Sequence, residues 1–174
     1  MHSAAESRLV GTRVARHGEL NHIIGRAFNL VKIPNRIEPA GLCRSDGKRP
    51  DGQTLLPWGR GRLLVWDVTC VHHLAPSYLS VSVNEGPTVA DLAETKKAAK
   101  YAELADRFLF QPVAVETLGG MGRQSLRFLS SLGARIAAAT GEIEATKQLR
   151  QRFSLAVQIG NAACVLETFN NCFT

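Results

Sequence analysis

One apolar segment, LLVWDVTCV at residues 63–71, constrains the fold more than any other part of the chain. Apolar residues that continue without polar alternation are typical of a strand covered on both faces, so a layer is expected on each side of a sheet. Asp67 interrupts the segment. Because a buried carboxylate is costly unless it is paired or bound to a metal ion, Asp67 needs a partner inside the fold.

A hairpin is predicted around this segment. Residues 52–56 form its first strand, residues 57–61 its turn and residues 62–71 its second strand. With the turn centred near residue 59, Asp51 falls almost opposite Asp67, and such neighbours lie about 5 Å apart at Cβ. Two close carboxylates repel each other unless a divalent cation lies between them, and hard oxygen ligands suit Mg²⁺ or Mn²⁺. Alternatively, Asp51 is a turn residue and Asp67 pairs with an arginine such as Arg62.

A helix predicted from Thr88 to about residue 108 carries a lysine on its apolar side. The segment begins with a threonine followed three residues later by a carboxylate, close to a capping box. At 100° per residue, Lys97 falls in the apolar arc, with Tyr101 one turn further on. A core-facing ammonium needs an anionic partner and can stabilise charge on a transferring phosphate. Alternatively, Lys97 extends to solvent from the helix edge, as Lys96 and Lys100 are expected to do.

Charge is unevenly placed along the 174 residues, which are most simply one domain. Residues 1–62 carry eleven Lys/Arg against five Asp/Glu, whereas the remainder carries ten of each. All of the net charge of +6 therefore lies in the part that contains Asp51. A basic surface of this kind attracts polyanions such as nucleic acid, or it is only solvated and has no partner.

Several other classes of protein find little support in the sequence. The four cysteines are scattered and form no CxxC pair, which argues against a zinc ribbon and a secreted disulfide framework. The neighbours Cys70, His72 and His73 resemble a metal cluster, but adjacent strand residues point to opposite faces.

No apolar run is long enough to cross a membrane, and the polar N-terminus lacks the apolar core of a signal peptide. An intracellular protein is expected.

The predicted elements follow the order helix, strands, helix, strand, helix, helix. This order indicates an α/β fold with a mixed central β-sheet flanked by helices. Helices are predicted at residues 8–30, 88–108, 122–139 and 142–170, and strands at residues 36–38, 52–56, 62–71 and 110–117, with a further edge strand at residues 78–83. Polar residues of the last helix, among them Arg152 and Asn161, are candidate phosphate or base contacts. The alternative is an amphipathic helix that covers the sheet.

Three features together resemble a known family. They are Arg49-Pro50-Asp51, Asp67 in an apolar strand, and the helical segment KAAKY at residues 97–101. In this combination the chain resembles the restriction-like endonuclease domain of early-branching non-LTR retrotransposons, which belongs to the PD-(D/E)XK nuclease superfamily. Residues 47–169 are similar, more closely, to terminal segments of reverse-transcriptase-related open reading frames in animal genomes. The resemblance implies a nuclease-like core at about residues 8–140, with a C-terminal helix at residues 142–170.

The resemblance implies Mg²⁺- or Mn²⁺-dependent hydrolysis of phosphodiester bonds in DNA. The family's endonuclease nicks one strand, and the 3′ hydroxyl primes reverse transcription, which implies a nuclear location. Asp51 and Asp67 would hold the metal, and Lys97, supported by Tyr101, would stabilise the phosphate or the attacking water. No membrane partner and no small-molecule substrate are expected. The candidate contacts to the DNA backbone are Lys48, Arg49, Arg60 and Arg62.

The chain also departs from the family pattern. Thr69 stands where standard members carry a lysine two residues after the second acid, and the retrotransposon family takes its lysine from the next helix, which indicates Lys97. A further acid often joins the site, and Glu19, Glu38 and Glu116 are candidates. The chain has no room for a polymerase and no CCHC zinc knuckle, so it resembles a terminal fragment or a decayed or retained copy. The alternatives are an inactive nucleic-acid-binding remnant and a structural or interaction domain.

Overall fold

The computed structural model describes the backbone of residues 2–42, 49–72 and 88–172, and the side chains of residues 11–42, 49–72 and 88–169. Lys48, His73 and the predicted edge strand at residues 78–83 lie outside these ranges. The strands are β1 (Asn35–Ile37), β2 (Gly52–Thr54), β3 (Leu64–Val71) and β4 (Leu109–Glu116). The helices are α1 (His2–Leu30), α2 (Val89–Lys100), α3 (Arg123–Thr140) and α4 (Ala145–Cys172), with a 3₁₀ turn at Ala102–Leu104.

The four strands form one mixed sheet in the order β1-β2-β3-β4. The first three are antiparallel, and β4 runs parallel to β3, so the connection between them crosses over through α2. Gly52 lies opposite Trp66, which confirms the predicted register that aligns Asp51 with Asp67. Beyond Trp66, β3 has no strand neighbour on the β2 side among the described residues. The mixed α/β fold is confirmed.

β3 is buried on both faces, as its apolar sequence predicts. Trp66 and Val68 point into the larger core, which is closed by α1, α3 and α4. Val65 points to the other face, where it packs with Tyr101 and Phe108. Because strand side chains alternate, Asp67 lies on the same face as Val65, next to α2.

The hairpin turn is longer than predicted. β2 ends at Thr54 and β3 begins at Leu64, so neither strand reaches the predicted limits at residues 56 and 62. Arg60 and Gly61 have positive φ angles of 50° and 68°, and Arg62 N donates to Gly59 O across them at 3.0 Å. Left-handed backbone at two central positions is the geometry of a tight hairpin turn, and both positions lie inside the predicted turn at residues 57–61.

α2 begins as predicted and ends early. Thr88 accepts a hydrogen bond from Asp91 N while the Asp91 side chain accepts from Thr88 N, so the capping box is confirmed. The helix stops at Lys100 and not near residue 108, and the 3₁₀ turn follows. Leu104 and Phe108 are nevertheless buried in the predicted direction. The apolar periodicity therefore predicts which side chains face the core. It does not predict that a 3₁₀ turn, and not a longer α-helix, brings Leu104 and Phe108 there.

α4 is an integral part of the larger core. Leu149, Phe153 and Val157 are buried there, and α4 packs against α1 and α3. The predicted helix is therefore present, and it packs mainly against the covering helices α1 and α3. Within the described ranges, no helix combines the length and the apolar character needed to cross a bilayer.

Candidate functional site

Asp51 lies where β2 begins and is held against the edge of β3. Its backbone N donates to Trp66 O at 2.9 Å, which continues the strand pairing by one residue. Its carboxylate oxygen Oδ2 accepts from Val68 N at 2.6 Å and lies 2.9 Å from His17 Nε2. The side chain is 17% exposed. Asp51 thus takes the place of a neighbouring strand beside Val68, a part of β3 with which β2 does not pair.

His17 is a site residue that the sequence analysis missed. Its Nε2 faces two acceptors, Asp51 Oδ2 and Val68 O at 3.2 Å, so this nitrogen carries the hydrogen. Nδ1 lies 3.4 Å from Asn21 Nδ2, and Asn21 Oδ1 in turn accepts from Trp66 Nε1 at 3.0 Å. The buried indole therefore orients the amide, and the amide lies behind the imidazole. The available sequence signal is a His/Asn pair at i, i+4 within the core-facing part of α1.

The pKa of His17 is raised above its ordinary value. The hydrogen bond to Asp51 is the main cause, and the negative charges of Asp51 and Asp67 act in the same direction, against the opposing effect of burial. Both carboxylates therefore influence the same imidazole. The edge of β3 brings together groups from α1, the start of β2, and β3 itself.

The raised pKa of His17 predicts a stability contribution that depends on pH. Protonated His17 stabilises the fold fully below the ordinary pKa of about 6.5, and the contribution is lost as pH rises through the higher folded-state pKa. We expect the stability difference between wild type and His17→Gln to shrink in urea titrations as pH rises from about 6.5 through the folded-state pKa. His22→Gln, at an exposed position of the same helix, is the control. A His17→Gln difference that does not vary with pH would contradict the assignment.

Asp67 and Lys97 form a buried ion pair. Lys97 Nζ donates to Asp67 Oδ1, with the aspartate side chain 4% exposed and the lysine side chain 24% exposed. The inference that Asp67 needs a partner and that Lys97 faces inward is confirmed. The alternative pairing with Arg62 is wrong, since Arg62 Nη1 donates to Ala105 O at 2.7 Å.

Asp51 and Asp67 contact helices on opposite faces of the sheet. Asp51 binds His17 of α1, whereas Asp67 binds Lys97 of α2. Asp51 Oδ1 and Asp67 Oδ2 make no hydrogen bond to described residues. No group of three or more His, Cys, Asp or Glu within the described ranges is arranged to hold a metal ion. Two carboxylates nevertheless fit Mg²⁺, which commonly takes one or two and fills its other positions with water and phosphate.

The described polar contacts of the Tyr101 side chain are with Arg49 and with the ammonium of Lys100, which lies 3.3 Å from the Tyr101 hydroxyl. The Tyr101 hydroxyl donates to Arg49 O at 2.9 Å, the ring packs on Phe110 with centroids 4.8 Å apart, and the residue is 1% exposed. It therefore supports the segment that leads into Asp51. Sequence periodicity predicted the direction of the ring, but not the atom that its hydroxyl reaches.

Two of the other candidate basic residues are engaged in contacts within the fold. Arg49 pairs with Glu38, Arg62 binds the Ala105 carbonyl, and Arg60 is exposed at the hairpin turn. A different basic group lies beside Asp67. A cleft of about 380 Å³ is lined by Thr69 and three lysines of α2: Lys96, Lys97 and Lys100.

None of the three candidate acids contacts the carboxylate of Asp51 or Asp67 in the part of the chain that is described, although Glu38 N donates to Asp51 O at 2.7 Å. Glu19 pairs with Arg26 at 2.6 Å, and Glu38 pairs with Arg49. Glu116 Oε1 accepts from Ala90 N at 3.2 Å, at the N-terminus of α2, where a negative charge is favourable. These contacts give each acid a structural role.

The edge of β3 thus assembles two carboxylates, an ammonium and an imidazole from four different elements. Among the described residues, one oxygen on each carboxylate makes no hydrogen bond, and the lysine-lined cleft next to the Asp67–Lys97 pair suits an anion. Such a combination can bind a metal ion together with a phosphate group. No protein-family model and no curated protein matches the chain.

Proposed function

We propose that the protein is a divalent-metal-dependent endonuclease that nicks DNA and has a PD-(D/E)XK-type core. The observation that supports the proposal most is the buried Asp67–Lys97 pair beside Asp51, at the part of β3 that β2 leaves open. An acid at the start of one strand, an acid on the next strand and a lysine on the following helix is the arrangement that the resemblance implies. Mg²⁺ or Mn²⁺ is the proposed cofactor.

Asp51 and Asp67 are the proposed metal ligands. A bound ion would lower the pKa of a water molecule and neutralise charge on a phosphate. Lys97 contacts Asp67 and would donate to a phosphate oxygen next to that carboxylate. His17 holds Asp51 from the opposite side. Tyr101 has an indirect role, because its hydrogen bond to the Arg49 carbonyl holds the segment that leads into Asp51.

DNA is the proposed partner, and a nuclear location follows from that proposal. Lys96 and Lys100 line the cleft next to the Asp67–Lys97 pair, so the phosphate backbone would find positive charge at the site. Binding that depends on lysine–phosphate contacts should weaken steeply as salt concentration rises. A filter-binding titration at several salt concentrations measures that slope.

Nicking of supercoiled plasmid is the direct test of catalysis. With Mg²⁺ or Mn²⁺ we expect the wild type to convert supercoiled into open-circular DNA, and a chelator to stop the reaction. Asp51→Asn and Asp67→Asn should each reduce the rate by about 100-fold or more, because each removes a charged metal ligand while keeping the side-chain shape. Asp106→Asn, at an exposed position after the 3₁₀ turn, should leave the rate unchanged.

The catalytic assignment fails if wild type and Asp51→Asn nick equally, or if the chelator has no effect. Circular dichroism and the melting temperature of each variant must accompany the rates, because both aspartates also have structural contacts. A variant that folds normally and does not nick separates lost chemistry from lost fold. DNA affinity measured on the same samples separates chemistry from binding.

A specific observation favours one second candidate, a non-catalytic nucleic-acid-binding domain. Asp51 and Asp67 are each already paired with a basic side chain, His17 and Lys97, so the fold neutralises them without a metal. This candidate predicts salt-dependent DNA binding with no metal-dependent nicking. A purely structural or interaction domain predicts neither.

A further inference from the structure

Helix α4 carries apolar residues on two opposite faces, and only one of these faces is covered. Leu149, Phe153 and Val157 lie in the larger core. The other face, here called the α4 seam, has four large apolar side chains, each about 60% exposed, and one exposed alanine: Leu155, Ile159, Ala162, Leu166 and Phe169. Because a helix that is apolar all round is normally buried all round, the α4 seam is expected to have a partner.

The spacing of the α4 seam is that of a coiled coil. Its five residues follow one another at intervals of four, three, four and three, so at 100° per residue they lie within about 80° of the helix circumference. From residue 153 to residue 166 the chain has no charged residue. A helix that lies on a membrane surface has a polar face rich in Lys and Arg, which this stretch lacks. The narrow, uncharged strip therefore indicates that a second helix covers it.

The α4 seam is self-complementary when two copies of α4 run antiparallel. With a two-fold axis between residues 160 and 161, every seam position faces a seam position of the second copy, as in an isologous interface. The apolar contacts would be Leu155 with Leu166 and Ile159 with Ala162. Arg152, at the next position of the repeat, falls opposite Phe169, where a guanidinium can lie on the ring. A parallel pair would set Arg152 against Arg152, so charge favours the antiparallel arrangement.

A groove beside the α4 seam enlarges the surface that a second helix can cover. The groove lies between α1 and α4 and has a volume of about 610 Å³. On α4 it is lined by two seam residues and three small ones: Leu155, Ile159, Ala156, Gly160 and Ala163. Between residues 152 and 169 the helix is about 26 Å long. A contact of this length is at the small end of specific interfaces, so the association should be weak and should depend on concentration.

We propose that two copies of this chain associate through the α4 seam as an antiparallel pair of helices. Sedimentation equilibrium of the full chain between about 1 μM and 1 mM should show reversible dimerisation. Leu155→Glu and Ile159→Glu should each raise the dissociation constant about tenfold or more, because each places a carboxylate in an apolar contact. Val14→Glu is the matched control, since Val14 is a 63% exposed apolar residue of α1 that does not line the groove.

A charge-pair variant tests the antiparallel register. When Leu155→Glu and Leu166→Lys are combined in one chain, the new carboxylate of each copy faces the new ammonium of the other. The double variant should therefore dimerise more tightly than either single variant, whereas a parallel pair would place like charges opposite each other. Both positions are exposed, so the melting temperature of the diluted monomer should stay close to that of the wild type.

The proposal is overturned if the wild type stays monomeric over this range, if Ile159→Glu dimerises as tightly as the wild type, or if Val14→Glu weakens the dimer as much. A double variant no tighter than the single variants overturns it as well, as does a clear loss of monomer stability in Ile159→Glu. A wild type that stays monomeric but co-sediments with anionic phospholipid vesicles would assign the α4 seam to a lipid surface instead. No seam residue belongs to the candidate site at β3, so none of these outcomes depends on the proposed nuclease activity.

Discussion

Replacing Lys97 by methionine is expected to lower the free energy of unfolding by about 3 kcal/mol at neutral pH. The substitution leaves Asp67, whose side chain is 4% exposed, without its cationic partner. An unpaired buried carboxylate is destabilising out of proportion to the strength of the original pair, because its lost hydration is no longer compensated. Urea unfolding followed by far-ultraviolet circular dichroism measures the change.

Lys96→Met is the matched control, since Lys96 is an exposed residue of the same helix. Its effect should stay within about 0.5 kcal/mol. Combining Lys97→Met with Asp67→Asn should be less damaging than the sum of the two single changes, because the double variant has no unpaired charge. Equal effects of Lys96→Met and Lys97→Met, or strict additivity in the double variant, would contradict the buried pair.

Gly52→Ala is expected to destabilise the protein by about 3 kcal/mol. A Cβ at Gly52 would lie 2.0 Å from Trp66 Cζ2, so the backbone of β2 rests directly on the indole. The ring cannot move away cheaply, because it packs on Phe28 at 5.3 Å and donates to Asn21. Since Gly52 follows Asp51 directly, the same change should also disturb the candidate site. The melting temperature and the DNA-nicking rate report the two effects.

Gly18→Ala provides a control of opposite sign. Gly18 lies inside α1, and an added Cβ would meet nothing within 4 Å. Alanine in a helix interior is favoured over glycine by about 0.5–1 kcal/mol, so this variant should be more stable than the wild type. If both alanine variants shift the melting temperature in the same direction, the contact between Gly52 and Trp66 is not the cause.

The parts of the fold predicted correctly from sequence depend on local periodicity. Apolar residues on both faces of residues 64–71 require a central strand, and the spacing of Asp51 and Asp67 around a turn sets their register. The helical arc likewise places Lys97 towards the sheet, where the buried carboxylate of Asp67 is its natural partner. The capping box at Thr88 is a signal of four residues and needs no tertiary information.

The parts that were missed depend on contacts between distant segments. His17 reaches Asp51 only because α1 packs beneath β3, and a single sequence contains no measure of that packing. The contact of Tyr101 was missed for a different reason. The apolar arc of a helix predicts that its side chain faces the core, but not that its hydroxyl donates to the Arg49 carbonyl. The net charge of a segment does not show where its basic side chains lie. Arg49 and Arg62 make contacts within the fold, whereas the lysines of α2 line the cleft.

The packing of α4 against α1 has a consequence for how the chain folds during synthesis. Phe153 and Val157 of α4 share the larger core with Leu20 and Ile24 of α1. On the ribosome, α1 emerges well before the residues that cover its apolar face, and exposed apolar surface of this kind favours aggregation. Closure of the larger core therefore has to wait until α4 has been made, and until then the apolar face of α1 is open to a chaperone.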